Sequence, residues 1–293
     1  MLSKLRNVGS DTTLITGAAK YLATNLQSTF GDTLTGLRPL DGGTLSLCFV
    51  GQLQGQTRFF KTHAVSAGRV TLQREAAILE STAEDRADVH LLKLQHGDQE
   101  RIWLHMKSLR PCQALSPAMA RDLIDGFERP LAAIADYELV PETDNIKLLL
   151  TEAESALSEL STQGLLSQFV QDKAQTCVAR CNAHCDEWSV QLCHGDLGPA
   201  NIMTEGQSPL VVDWEDAFWG IPGYDYLYWL TFFNNRQWLL PEALGYTPLG
   251  RTNEVSLMVV ILLLKSFISV RNGSFRTNKA SFDERILEVL NLE

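Results

Sequence analysis

The stretch of this sequence best suited to chemistry is His194-Gly195-Asp196-Leu197-Gly198-Pro199-Ala200-Asn201, followed at 209–215 by Pro-Leu-Val-Val-Asp-Trp-Glu. An acid, an amide five residues on, and a second acid closing an apolar strand are what metal-assisted phosphoryl transfer requires. One carboxylate orients a hydroxyl, and two oxygen donors serve a hard divalent cation such as Mg2+. Gly198 and Pro199 favour a tight turn between Asp196 and Asn201, and the run Leu210-Val211-Val212 delivers Asp213 from a neighbouring strand. Taken singly, Asp196 and Asn201 also suit an Asx turn and Asp213 a solvated strand end, so the combination carries the reading. Glu215 and Asp216 read as caps of the segment that follows.

The elements that must position these groups change character along the chain. From about residue 34 to 106 the pattern is strand-like, with β-prone runs at 45–53, 57–61, 91–94 and 101–106 punctuated by Gly42-Gly43, Gly55 and Gly97-Asp98. One helix, 70–82, interrupts them. After Pro111 the periodicity becomes helical, at 117–135, 145–160, 165–184 and 255–270, with short strands only near 189–193 and 209–213. We therefore expect an α+β protein, with a β-rich lobe over 1–107 (a preceding N-terminal segment included) and a helical lobe over 108–293 carrying the catalytic loop and acceptor site. No Gly/Ser spacer lies near 108–111, which argues for two lobes sharing a cleft.

At this point the sequence resembles the aminoglycoside phosphotransferase and choline kinase superfamily, small-molecule kinases related to the protein kinases, over about residues 37–225. The resemblance implies a protein-kinase-like bilobal fold, with a small antiparallel sheet in the N-lobe and a mainly helical C-lobe. It implies use of ATP and Mg2+, with Asp196 orienting the acceptor hydroxyl, Asn201 and Asp213 holding the metal, and His194 bracing the catalytic loop. Gly42, Gly43 and Ser46 resemble the family's Gly-Gly-x-x-Asn/Ser phosphate loop, in which glycines let backbone N–H groups approach phosphate oxygens. By the same resemblance Lys61 reaches the α- and β-phosphates and is held by Glu75 through an ion pair. The backbone from His105 to Lys107 is then the hinge that meets the adenine ring, and Asp225 ties a helix to the catalytic loop. The family's Gly-Asp-Pro before that aspartate reads Gly220-Ile221-Pro222 here.

Composition narrows the partners. The formal net charge of −10 opposes a broad grip on nucleic-acid phosphates or an anionic membrane and favours a cationic small molecule. The apolar run 255–264 stops at Lys265 and reads as a buried helix, and no signal peptide is evident. The six scattered cysteines suit reduced thiols, so a cytoplasmic enzyme is expected. Cys177, Cys181 and Cys185 recur every four residues, as a helix-borne metal site or, more simply, as small core hydrophobes. Ten of the 24 aromatic residues fall between Trp214 and Trp238, which reads as an aromatic box for an amine or as core beneath the catalytic loop. The acidic run 136–159 is either a solvated face or a lure for an amine-bearing acceptor. The leading expectation is a phosphotransferase acting on a hydroxyl of a small, amine-containing molecule. The alternative is a nucleotide-binding sensor or scaffold of the same fold that does not transfer. A hydrolase built on Cys193-His194 fits poorly, because neighbours on a strand point to opposite faces.

Overall fold

Phe60 and Lys61 are adjacent on one strand, so their side chains must leave opposite faces of the sheet that contains it. That divide organises the first of the two compact units into which the chain separates. One runs to Cys112 and resumes at 200–216; the other comprises 113–199 and 217–293. The computed structural model describes residues 12–40, 46–63, 69–83, 87–96, 99–133, 140–206 and 208–293.

In the first unit, helix α1 (Thr12–Phe30) precedes strands β1 (Leu34–Leu40), β2 (Ser46–Leu53) and β3 (Gln56–His63). Helix α2 (Arg69–Ala83) follows, then β4 (His90–His96) and β5 (Gln99–Lys107). The five strands form one sheet in the order β1-β2-β3-β5-β4, every neighbouring pair antiparallel. Pro39 is accommodated because β1 is an edge strand, and β1 is irregular between Thr35 and Arg38. Phe60 enters a core with Leu34, Leu47, Phe49 and Trp103, closed by Leu22 and Leu26 of α1. Polar residues are frequent in α1, which the periodicity analysis did not single out. Its hydroxyls bond back into the helix, Thr24 to the Lys20 carbonyl and Ser28 to the Thr24 carbonyl, and Leu22 and Leu26 supply the buried stripe. The strands Arg110–Pro111, Ile202–Glu205 and Ser208–Val211 make a second, three-stranded sheet. Ile202–Glu205 went unread in the sequence because four residues beside a turn carry little pattern.

In the second unit, α3 (Pro117–Ala133), α4 (Ile146–Thr162), α5 (Gln168–His184), α6 (Tyr224–Leu230), α7 (Arg251–Arg271) and α8 (Phe282–Leu290) dominate. The Asn145 side chain caps α4 by accepting from Leu148 N–H, and Ser281 with Glu284 forms a capping box on α8. Helix α7 packs against α4, α5 and α8, and every residue from Glu254 to Leu264 is buried. The apolar run thus belongs to a helix of 21 residues, long and apolar enough to cross a bilayer, yet 67% of its most apolar window is buried inside the protein. Cys177 and Cys181 lie on the buried side of α5 beside Ala174 and Val178, and burial pushes the Cys181 thiol up to about 12. They behave as small core residues.

His105 lies on the Phe60 side of the first sheet, stacked on that ring at 5.7 Å, with Nδ1 3.2 Å from Arg58 Nη2. Arg58 also binds the Asp88 carboxylate and donates to the Asp88 carbonyl at 3.0 Å. Burial first, then the Arg58 and His90 charges, push the His105 imidazole down to about 4. In the unfolded chain the ring titrates near 6.5, so below that pH the unfolded state takes up a proton that the folded state refuses. This group should therefore cost up to about 3 kcal/mol of stability as pH falls from about 6.5 to 4. Urea unfolding across that range should show the loss in the wild type and a shallower one in His105→Asn, which cannot titrate; equal slopes would remove His105 as its source.

Candidate active site

Lys61 leaves β3 on the face opposite Phe60, opposite Cys48 of β2 and Leu104 of β5, and is 4% exposed. An ammonium so buried needs anionic partners, and three carboxylates on two elements supply them. Glu75 of α2 places Oε2 2.7 Å from Nζ, Glu215 places Oε2 at 3.3 Å, and Asp213 Oδ1 is in direct contact. Asp213 sits one residue past Val212, whose N–H donates to the Asn201 carbonyl at 2.9 Å, so Asn201 and Asp213 flank one ladder. Strand Ser208–Val211 ends before Asp213, which adopts a left-handed φ of 69°, so the chain turns there instead of continuing as a strand. Trp214 donates its indole N–H to the Val211 carbonyl at 3.1 Å and locks that turn.

Glu215, read from sequence as a capping residue, belongs to the cluster. Ser46 Oγ donates to its Oε2 at 3.2 Å, and Arg74 reaches its main-chain carbonyl. Its signal was the two-residue step from Asp213, which only the left-handed turn converts into a shared site. Carboxylate oxygens of Glu75, Asp213 and Glu215 lie within 4.8 Å of one another, the group among the described residues able to hold a metal ion. Three carboxylates face one ammonium. Burial, with Asp213 and Glu215 adding to it, pushes Glu75 up to about 7 against the opposing pull of Lys61. Burial pulls Lys61 down, but Asp213, Glu75 and Glu215 outweigh it and hold the ammonium well above its ordinary range. Hard oxygen donors in surplus over positive charge fit a divalent cation such as Mg2+.

Of the remaining first-unit residues, Gly42 and Gly43 lie outside the described residues. Ser46 also lies 3.3 Å from His63 Nδ1. The His105 side chain faces the α1 core, and its main chain is paired within the sheet, between Phe60 of β3 and His90 of β4. Lys107 donates its backbone N–H to the Ala87 carbonyl at 2.9 Å and pairs with Glu205 at 3.1 Å through its side chain.

The second unit holds Asp196 and His194. His194 is fully buried, and its Nδ1 accepts from the Asp196 N–H at 3.2 Å. The Asp225 carboxylate accepts from His194 N–H at 2.8 Å and Gly195 N–H at 3.0 Å, an anchor formed despite the Gly220-Ile221-Pro222 departure. Gly198 is required for close approach: a Cβ there would meet the Phe232 ring at 2.5 Å. Asp196 Oδ1 accepts the Tyr228 hydroxyl, a partner the sequence reading missed. Its signal was the three-residue step from Asp225, which puts both on one face of α6.

Removing Lys61 leaves buried carboxylates facing one another without their cation. Lys61→Met should destabilise the nucleotide-free protein by about 3–5 kcal/mol, and Glu75→Gln by much less, because that carboxyl already leans toward its neutral form. Chemical denaturation checks this; equal losses would mean that the ammonium does not hold the cluster.

Comparison with known proteins places these arrangements. No curated protein matches the chain by sequence. Aminoglycoside phosphotransferase APH(4)-Ia, as a thermostable mutant in ternary complex with AMP-PNP and hygromycin B, superposes with a TM-score of 0.63 at 14% identity, covering 92% of this chain and 98% of that one. Spectinomycin phosphotransferase APH(9)-Ia, in complex with ADP and spectinomycin, gives 0.63 at 10% identity over 93% and 98%. A choline/ethanolamine kinase family protein from Mesorhizobium loti gives 0.56 at 16% identity over 94% of each chain. The α+β, protein-kinase-like fold is shared with these proteins. A model of the phosphotransferase enzyme family matches residues 36–248, well over half the chain. The chain belongs to the phosphotransferase enzyme family.

Proposed function

We propose that this phosphotransferase is an ATP-dependent kinase that moves the γ-phosphate to a hydroxyl of a small, amine-containing molecule. The observation that carries the reading is the buried Lys61 ammonium gripped by Glu75, Asp213 and Glu215. Lys61 binds the nucleotide's α- and β-phosphates in this reading, Glu75 keeps it aligned, and Ser46 with Gly42 and Gly43 serves the phosphate loop. Of the expected hinge from His105 to Lys107, the Lys107 end receives the adenine in this reading, since His105 is paired within the sheet and the Lys107 N–H is taken by the Ala87 carbonyl. Asn201 and Asp213 hold Mg2+, which when bound neutralises charge on the transferring phosphate. Asp196 orients the acceptor hydroxyl and takes its proton as the new O–P bond forms and the bond from the γ-phosphorus to the bridging oxygen of ADP breaks. His194 braces that loop. Rate enhancement comes from positioning and charge neutralisation, with no covalent intermediate. The amine preference draws on the net charge of −10 and on the aminoglycoside, choline and ethanolamine in the names of the structural neighbours.

The test is transfer from γ-labelled ATP with Mg2+ to a panel of choline, ethanolamine, aminoglycosides, fructosamines, homoserine and thiamine. A labelled product names the acceptor class, and none with any compound counts against the amine. Asp196→Asn should lower transfer by about two to four orders of magnitude while nucleotide affinity stays within a few-fold. Equal loss of both would contradict its role. Asp213→Ala should abolish Mg-nucleotide-dependent turnover with the fold retained by circular dichroism, and normal turnover would remove Asp213 from the site.

A further inference from the structure

The aromatic segment read from sequence as a possible amine box is already filled by the chain itself. Lys265, the residue that ends the long apolar run of α7, places Nζ 3.7 Å from the centroid of the Tyr228 ring and 3.6 Å from that of Phe232. The same ammonium donates to the Tyr228 carbonyl at 3.1 Å and to Thr231 Oγ1 at 2.7 Å, so it is fixed by hydrogen bonds as well as by ring faces. The two rings meet edge to face at 5.5 Å, Tyr224 stacks on Tyr228 at 5.9 Å, and Phe232 occupies the space that a Gly198 side chain would need. The Tyr228 hydroxyl, at the far end of this packed ring, donates to Asp196 Oδ1.

We propose that Lys265 and Tyr228 are positioning residues for Asp196: the Lys265 ammonium occupies the Tyr228–Phe232 ring pair, and the Tyr228 hydroxyl fixes the carboxylate that meets the acceptor. The proposal rests on the kinase reading of Asp196 given above. Two physical effects act together. A cation against the face of a phenol ring draws electron density from it, which makes the hydroxyl a better hydrogen-bond donor to a carboxylate. A ring packed against Tyr224, Phe232 and the Lys265 ammonium cannot swing freely, so rotation of the Asp196 carboxylate about its last bond is restricted and an incoming hydroxyl meets it in one orientation. A corollary concerns specificity. Because these ring faces already hold an ammonium, an acceptor amine must be recognised by other groups.

Initial rates with Mg-ATP and the first panel compound that yields labelled product, together with isothermal calorimetry of Mg-AMP-PNP, test the positioning role. Tyr228→Phe keeps the ring and removes the hydroxyl. It should lower kcat about tenfold to a hundredfold and leave KM for Mg-ATP and AMP-PNP affinity within a few-fold. Lys265→Met should lower kcat as well, and adding it to Tyr228→Phe should lower kcat little further, because both act through one hydrogen bond. An unchanged kcat in Tyr228→Phe, or losses that multiply in the double variant, would overturn the proposal. The ammonium's seat is read without activity by thermal unfolding of Lys265→Ala. Ethylammonium chloride should raise its melting temperature saturably, ethanol and sodium chloride should not, and the wild type should not respond. Failure of ethylammonium to discriminate variant from wild type overturns that half. A wild-type protein that binds no Mg-AMP-PNP overturns the kinase reading itself, whereas one that binds and transfers while Tyr228→Phe is unaffected overturns only the inference drawn from Tyr228.

Discussion

A lysine ammonium buried as deeply as that of Lys61 is costly to withdraw from water unless anions replace the solvent, and much of the first unit is arranged around that requirement. The strand that carries it, the helix that brings Glu75 and the turn that brings Asp213 and Glu215 are far apart in sequence, yet their charged atoms converge within hydrogen-bond range. Each attachment is costly alone and stable only with the others. The cluster therefore sets the positions of α2 and of the 213–215 turn against β3 more firmly than apolar contact would, because apolar packing tolerates sliding and a hydrogen-bonded ion cluster does not. Its charge surplus has a second consequence. Carboxylates crowded at the cost of a Glu75 pushed up to about 7 leave a site in which added positive charge is welcome.

The two faces of the sheet show how one strand can serve packing and chemistry together. Phe60 completes a core with α1, while Lys61, one residue on, is committed to the ion cluster. His105 and Arg58 belong to the packing face, where the neutral imidazole and the Arg58–Asp88 pair link β3 to the segment leading into β4. A substitution at 60 or 105 should thus be felt as stability and one at 61 as stability and function together, although the residues are neighbours in the fold.

Much of this was legible in the sequence, and the limits are physical. Helices α4 and α5 show their period because each buries one face, and β2, β3 and α7 show as near-continuous runs because β2 and β3 bury both faces and α7 its whole circumference. The acid–amide–acid spacing of Asp196, Asn201 and Asp213 stands out in the sequence because few structural roles want all three. What periodicity could not show was long-range. Glu215 looked like a cap because its participation depends on a left-handed backbone at Asp213 that no local pattern announces. Helix α6 reads Tyr-Asp-Tyr-Leu-Tyr-Trp-Leu, whose tyrosines and tryptophan favour strands, and it is helical with all seven residues buried and Asp225 held by two backbone donors. Tertiary packing overrode propensity there. The short strand Ile202–Glu205 fell below the length at which alternation carries information.

The same overriding explains why aromatic content alone misleads about ligands. A cluster of rings attracts cations whether the cation is a substrate or a lysine, and the energy of a ring-bound ammonium is greatest where water is excluded. A chain that buries several rings beneath one loop must either leave their faces to apolar neighbours or supply a cation of its own. Here α7, apolar along its buried length, carries Lys265 at the point where it passes Tyr228 and Phe232. Its charge is met by ring faces, a carbonyl and a hydroxyl, and the Tyr228 hydroxyl stands between it and the Asp196 carboxylate. A carboxylate that paired directly with an ammonium would be a poorer acceptor of a proton. Placing a phenol between the two keeps the orientation that a salt bridge would give without a direct ion pair.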